Sequence, residues 1–372
     1  MSISNYFVDY GAGNDTTGDG TIGTPWKTIQ KALDTITRDA TNGDQVNIKS
    51  GAADVLSASL SLTTYGTPTA AAPLVLRGYA SAANDGGMGE IDCGGVTMWA
   101  SANYDYIHLI DLEIHSPGDN HLIVLRYGIS VINCELYKGT STPSSKSVVR
   151  VGANSTVAGC YLHDWPSNLG IVGLGAGVRA TSNYINIAAA TALYDCTALF
   201  NLIINSAILI NDSYGNNAIV AGNALWSTTG ATTTAITSAN VRYGQQIYNN
   251  IICNRSGVGG VGINYASAAV HMAGYNAFYN NATDEAGDTK ITYVLGGDVA
   301  LAADPFTDAA NGDFSLTTAA KAALRSAGWP ASYLGAHANA DPHVTIGPMQ
   351  YGPTPAAGGG GAIRRVMRLL GG

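Results

Sequence analysis

The sequence predicts an all-β solenoid, a parallel β-helix made of one strand-and-turn unit repeated along the chain. Three observations carry that expectation. A short phrase recurs as IDLEIH at Ile110, INCELY at Ile132, AGCYLH at Ala158, SNYINI at Ser182, FNLIIN at Phe200, GNALWS at Gly222, NNIICN at Asn249 and YNAFYN at Tyr275. Its second residues, Asp111, Asn133, Gly159, Asn183, Asn201, Asn223, Asn250 and Asn276, follow one another at 18 to 27 residues, a period typical of stacked coils. Between the phrases lie Gly, Ser and Asn turns instead of helical periods.

Each phrase alternates apolar and polar residues, as a half-buried strand does. Leu112 and Ile114, Cys134 and Leu136, and Cys160 and Leu162 are expected inside; Glu113 and His115, Glu135 and Tyr137, and Tyr161 and His163 outside. One strand per coil in constant phase gives a parallel sheet with strands about 4.8 Å apart. Asparagines repeating at one corner can form a hydrogen-bonded ladder, and Cys134 and Cys160 read as a stacked pair of inert core thiols.

The ends fit as caps, which a solenoid needs to close its core. In TPWKTIQKALDTI, Thr24 is the expected N-cap, Pro25 the first helical residue, and Ile29, Leu33 and Ile36 one stripe. GDQVNIKSG and APLVLRGYA read as the first strands. The expected organisation is an N-terminal cap and first coils over 1–90, repeats over 91–300, a C-terminal cap over 301–352, a Pro/Gly linker over 353–361 and a tail over 362–372.

With these residues in place the chain resembles the right-handed parallel β-helix repeat proteins of the pectate-lyase-like superfamily. YFVDYGAGNDTTGDGTIGTPWKTIQKAL is similar to their usual opening, and ADPFTDAANGDFSL with SAGW and IGPMQ to their usual close. The resemblance covers residues 5 to 352 and implies a single right-handed β-helix. For function it implies several classes: lyases, glycosidases, adhesins, tailspikes and other virion proteins. The start and the Gly/Arg tail are most similar to structural proteins of tailed bacteriophages.

Composition narrows the field. Of 372 residues 46% are hydrophobic and only 12% charged, enough apolar surface for a large core. The net charge of −8 argues against broad nucleic-acid binding. Five cysteines at irregular spacing form neither a disulfide framework nor a metal knuckle. No apolar run is long enough to span a bilayer, and MSISNYFVDY carries no secretion-signal pattern. No cofactor is expected.

The strongest catalytic candidates lie on the outer face of the first three phrases. Glu113 and Glu135 hold equivalent positions on adjacent coils, so their carboxylates are expected near 5 Å apart, the spacing of a retaining glycosidase pair. His115, Tyr137 and His163 form the next column, then Ser116, Lys138 and Asp164. Such a cluster suits acid–base work; the alternative is a solvated sheet face. The paired-aspartate, His-Gly and Arg-x-Lys signatures of the superfamily's polygalacturonases are missing, as is the aspartate cluster of its pectate lyases. Asp15 and Asp19 in GNDTTGDGT are weak calcium candidates beside a plain turn. GVGGVG at Gly257 lacks the helix and lysine of a phosphate loop and reads as a coil turn.

The column of Glu113, Glu135 and Tyr161 is expected to continue as Ile203, Leu225, Ile252 and Phe278. An apolar outer row implies a subunit interface, with a trimer favoured, or a cover from the same chain. In the tail, Ile363, Val366, Met367 and Leu370 share one helical face, with Arg364, Arg365 and Arg368 off it. So short a helix needs a partner, so the tail is expected to dock in a groove of another protein; membrane binding by it would be marginal.

The reading drawn from the sequence is a non-enzymatic virion component, a head decoration, fibre or tail spike. It would assemble in the host cytoplasm, bind other virion proteins through its C-terminal peptide, and possess an optional affinity for a host surface glycan. The alternative is a polysaccharide lyase, a glycoside hydrolase or a glycan-binding adhesin of the same fold.

Overall fold

The computed structural model describes residues 3–99, 104–118, 120–138, 146–165, 169–187, 191–210, 218–228, 230–239, 245–266, 271–287, 291–294 and 296–324. They divide into two compact units, one through Val178 and one from Arg179 onward. Each is a run of coils of a right-handed parallel β-helix whose strands feed three parallel sheets, the first coils contributing to two of them.

In the first unit the first sheet runs through Ser4–Val8, Asp44–Lys49, Leu74–Tyr79, Ile107–Ile110, Ser130–Ile132 and Thr156–Ala158. The second holds Asp54–Val55, Gly89–Asp92, Leu112–Ser116, Glu135–Lys138 and Tyr161–His163. The third holds Ile123–Leu125, Ser147–Val151 and Leu169–Gly173. Register is fixed coil by coil: Ile114 faces Leu136 and Leu136 faces Leu162, all buried. A one-residue slip would turn every one of these side chains outward. Cys134 and Cys160 lie in the same inner column as Leu112, as the alternation requires.

The corner entering the second sheet is left-handed in every phrase. Asp111, Asn133 and Gly159 have φ of 54°, 53° and 62°, a region that Asn, Asp and Gly tolerate best. In the second unit the same corner falls on Ser182, Phe200, Gly222, Asn249 and Tyr275. At Gly222 a Cβ would meet the Phe200 ring at 2.6 Å, so a larger residue there requires that ring to shift.

The residue after each corner in the second unit is an asparagine, and these form the ladder. The side-chain amide of Asn183 donates to Asn201, Asn201 to Asn223, Asn223 to Asn250 and Asn250 to Asn276, at 2.9–3.0 Å. All five are buried.

This register moves the phrase by one residue between its third and fourth copies. Ile203, Leu225, Ile252 and Phe278 are therefore not an outer row. They pair across neighbouring strands with Ile185 at the head of the column, and their exposures are 0%, 0%, 0% and 4%. The expected oligomer interface is core. The outer face instead carries Leu202, Ile204, Ala224, Trp226 and Ile251, and the chain covers it itself. Strands Phe306–Asp308 and Asp313–Leu316 pair antiparallel, and helix Thr318–Leu324 follows. Phe306, Phe314, Leu316 and Leu324 pack on that face, with Phe314 edge-on to Trp226 at 5.9 Å.

At the other end the helix spans Ile29–Thr35, and its N-cap is Thr28, whose Oγ1 accepts from the Lys31 amide. The expected N-cap Thr24 belongs to the preceding turn, where its hydroxyl donates to Asp19. Pro25 therefore precedes the helix. Ile29, Leu33 and Ile36 are buried as the stripe predicts. Among the described residues no helix is long and apolar enough to cross a membrane.

Candidate functional site

The outer face of the second sheet in the first unit gathers the acid–base residues. Parallel pairing sets Glu90, Glu113, Glu135 and Tyr161 in one column and Asp92, His115, Tyr137 and His163 in the next. Adjacent members are one strand step apart, about 4.8 Å. The structure thus brings together the sequence candidates Glu113, Glu135 and His163.

The rings of the second column stack on each other, and Tyr161 of the first column joins the end of the stack. His115 and Tyr137 have centroids 5.0 Å apart, Tyr137 and His163 4.8 Å, and His163 and Tyr161 4.2 Å, all within 20° of coplanar. In the middle of the stack, Tyr137 and His163 have neighbouring rings on both sides. Tyr137 donates to Glu113 Oε1 at 2.8 Å. Burial pushes its phenol up, and the hydrogen bond to Glu113 adds to this.

His163 is held from both sides. Its Nε2 lies 3.2 Å from Glu135 Oε1 and its Nδ1 2.7 Å from Asp164 Oδ2. Burial acts to lower its pKa, but the bonds to Glu135 and Asp164 and their charges outweigh it, and the imidazole sits above its ordinary value. Asp164 reaches Nδ1 from a left-handed corner, φ 49°. His115 stands 3.8 Å from both Glu90 and Asp92.

Two members of the expected third column leave the face. Ser116 and Lys138 share the inward parity of Ile114 and Leu136 and are buried, with Lys138 Nζ 5.5 Å above the Trp165 ring. Glu90 and Asp92 were the residues missed. Their strand precedes the first recurring phrase, yet Glu90-Ile91-Asp92 repeats the pattern of Glu113-Ile114-His115 and could have been found by it.

Asp15 and Asp19 have structural partners. Asp15 accepts from the amides of Lys27 and Thr28 and from the Thr28 hydroxyl, tying down the helix start. Asp19 accepts from the Thr21 amide and the Thr24 hydroxyl. Among the described residues no three His, Cys, Asp or Glu side chains converge as a metal-ligating group. Ile363, Arg364, Arg365, Val366, Met367, Arg368 and Leu370 lie outside the described residues.

No protein-family model and no curated protein matches the chain. Among solved structures it is similar to pectate lyase Pel9A, at 14% identity and a TM-score of 0.51, over 95% of this chain and 98% of that one. It also matches a GH136 lacto-N-biosidase from Eubacterium ramulus, at 14% identity and a TM-score of 0.43, over 80% of this chain and 67% of that one. A PL6 polysaccharide lyase from Pseudopedobacter saltans follows at 11% identity and 0.40, over 77% and 95%. At such identities the likeness is one of fold, and the fold this chain shares with pectate lyase Pel9A is the right-handed parallel β-helix.

Proposed function

We propose that this protein cleaves glycosidic bonds on the outer face of its second sheet, with Glu113 and Glu135 as the reacting pair. The observation that carries this is their register: two carboxylates side by side on neighbouring strands, one bound by His163 and the other by Tyr137. A separation near one strand step suits double displacement with retention. The His163 Nε2, 3.2 Å from Glu135 Oε1, orients that side chain for attack. Glu135 attacks the anomeric carbon as Glu113 protonates the departing oxygen, giving a glycosyl ester. Water then attacks that ester, Glu113 takes its proton, and Glu135 is released. The fold shared with a pectate lyase supports the substrate class by analogy.

The reading takes up the glycoside-hydrolase alternative in place of the non-enzymatic role. The test is release of reducing ends from a polysaccharide panel. Glu135→Gln and Glu113→Gln should each lower turnover by roughly 10²–10⁴-fold with melting unchanged. Full activity in both variants, or unsaturated product ends, would overturn hydrolysis by this pair.

A separate proposal concerns location and rests on sequence alone. The one-face spacing of Ile363, Val366, Met367 and Leu370 supports attachment of the chain, as a virion component, to another particle protein. Deleting residues 358–372 should abolish incorporation into particles; full incorporation refutes it.

A further inference from the structure

We infer that Asp164 is a positioning residue for Glu135: by holding the Nδ1 proton of His163, it lets His163 donate to Glu135 only while the imidazole is doubly protonated. The inference rests on the glycan-cleaving reading above and adds a proton-controlled switch to the same site.

The imidazole stands between two carboxylates. Asp164 Oδ2 lies 2.7 Å from Nδ1, and Glu135 Oε1 lies 3.2 Å from Nε2. Ionised carboxylates only accept, and a neutral imidazole has a single N–H to give. Only the imidazolium makes both bonds together. The charges that hold its protons are those of Asp164 and Glu135. The other titratable groups against the ring, among the described residues, are the phenols of Tyr137 and Tyr161, stacked with it at 4.8 and 4.2 Å. A flip of the ring would have to break both stacks, so each nitrogen keeps its partner.

When the pH rises and one proton passes to solvent, the shorter bond decides which nitrogen keeps the other. The 2.7 Å contact to Asp164 has the length of a charge-assisted bond. The 3.2 Å contact to Glu135 stands at the long limit for N–H to oxygen. The remaining proton stays on Nδ1, and the Nε2 lone pair is left facing Glu135 Oε1. Two acceptors at that distance repel, so Glu135 loses the donor that orients it. Asp164 can be altered without disturbing the backbone. Its side chain is 77% exposed and its φ is 49°, a conformation that asparagine also tolerates.

The experiment is nitrogen NMR across pH on the full chain with isotope-labelled histidine, for wild type and Asp164→Asn. His163→Gln identifies the signal. Rates on the polysaccharide most readily cut are measured over the same range. In wild type the neutral His163 should carry its proton on Nδ1, and the rate should fall as that form appears. In Asp164→Asn the ring should titrate at lower pH, because a negative charge has gone. Its remaining proton should move to Nε2, toward Glu135, and the alkaline fall in rate should be lost. A neutral wild-type ring protonated at Nε2, or one tautomer shared by both proteins, overturns the inference. A change of tautomer with an unaltered rate profile also overturns it, and leaves the glycan-cleaving reading standing. Cleavage of no glycan removes that reading alone, since the tautomers still decide what Asp164 does to His163.

Discussion

Tyr137 and Glu113 are joined across one strand step by a 2.8 Å hydrogen bond from the phenol to Oε1. The bond crosses from the aromatic column to the carboxylate column and fixes the rotamers of both. A hydrogen bond contributes about 0.5–1.5 kcal/mol, or roughly twofold to tenfold in rate if it positions the acid. Tyr137→Phe should therefore lower kcat by that factor and leave the melting temperature within a few degrees. An unchanged kcat would remove Glu113 from the acid role.

The pairing of His163 makes stability depend on pH. Its folded pKa is raised above the ordinary 6.5, with bonds to Glu135 and Asp164 overcoming burial. The sign follows from linkage: the stabilisation is complete below the unfolded pKa and is lost as pH rises through the folded one. Urea midpoints of wild type and His163→Gln should thus converge as pH rises above 6.5. A constant difference across that range would show that His163 is not paired as described.

The asparagine ladder should be weakest to damage at its middle. Asn223 accepts from the Asn201 amide and donates to Ala198 O and Asn250 Oδ1. Asn223→Ala leaves buried groups unmet on both neighbouring coils, at about 1–3 kcal/mol each. Its loss in chemical denaturation should exceed that of Asn183→Ala, at the end of the described ladder.

Ile203 tests the register directly. Placed in the interior, Ile203→Asp buries a charge without a partner and should prevent folding or cost upward of about 3 kcal/mol. A folded variant with an altered oligomeric state would restore the surface reading. Phe314→Ala should cost about 3–5 kcal/mol and expose the Trp226 side of the sheet, detectable as increased dye binding.

The cysteines should be silent. Cys134 is buried beside Cys160, and burial first, then the neighbouring thiol, push its pKa up. Native protein should resist alkylation at both, and full labelling should appear only on denaturation.

Much of this was legible in the sequence because alternation and a fixed coil length are local signals. Glu113 beside Glu135, and Cys134 beside Cys160, follow from them at once. The second unit was misread because the recurring asparagine looked equivalent to Asp111 and Asn133. In fact those two take the left-handed corner, whereas Asn201 and Asn223 stand one position later, after Phe200 and Gly222. A phenylalanine at a left-handed corner is costly and contradicts propensity, and only the stacking of coils explains it. The Thr24 and Thr28 ambiguity is similar: both precede a helical pattern, and the reach of Asp15 to the Thr28 amide decides between them.

The cover over Trp226 also has a consequence in time. Its packing partner Phe314 lies 88 positions further along the chain. At about 5–20 residues per second, a ribosome needs roughly 4–18 s to synthesise that stretch. For that interval each nascent chain presents Leu202, Trp226 and Ile251 with nothing over them, although the coils beneath are free to form as they emerge. Slow translation, or a truncated message ending before Phe306, would yield chains with a naked apolar sheet, and these are the species on which holding chaperones or aggregation would act.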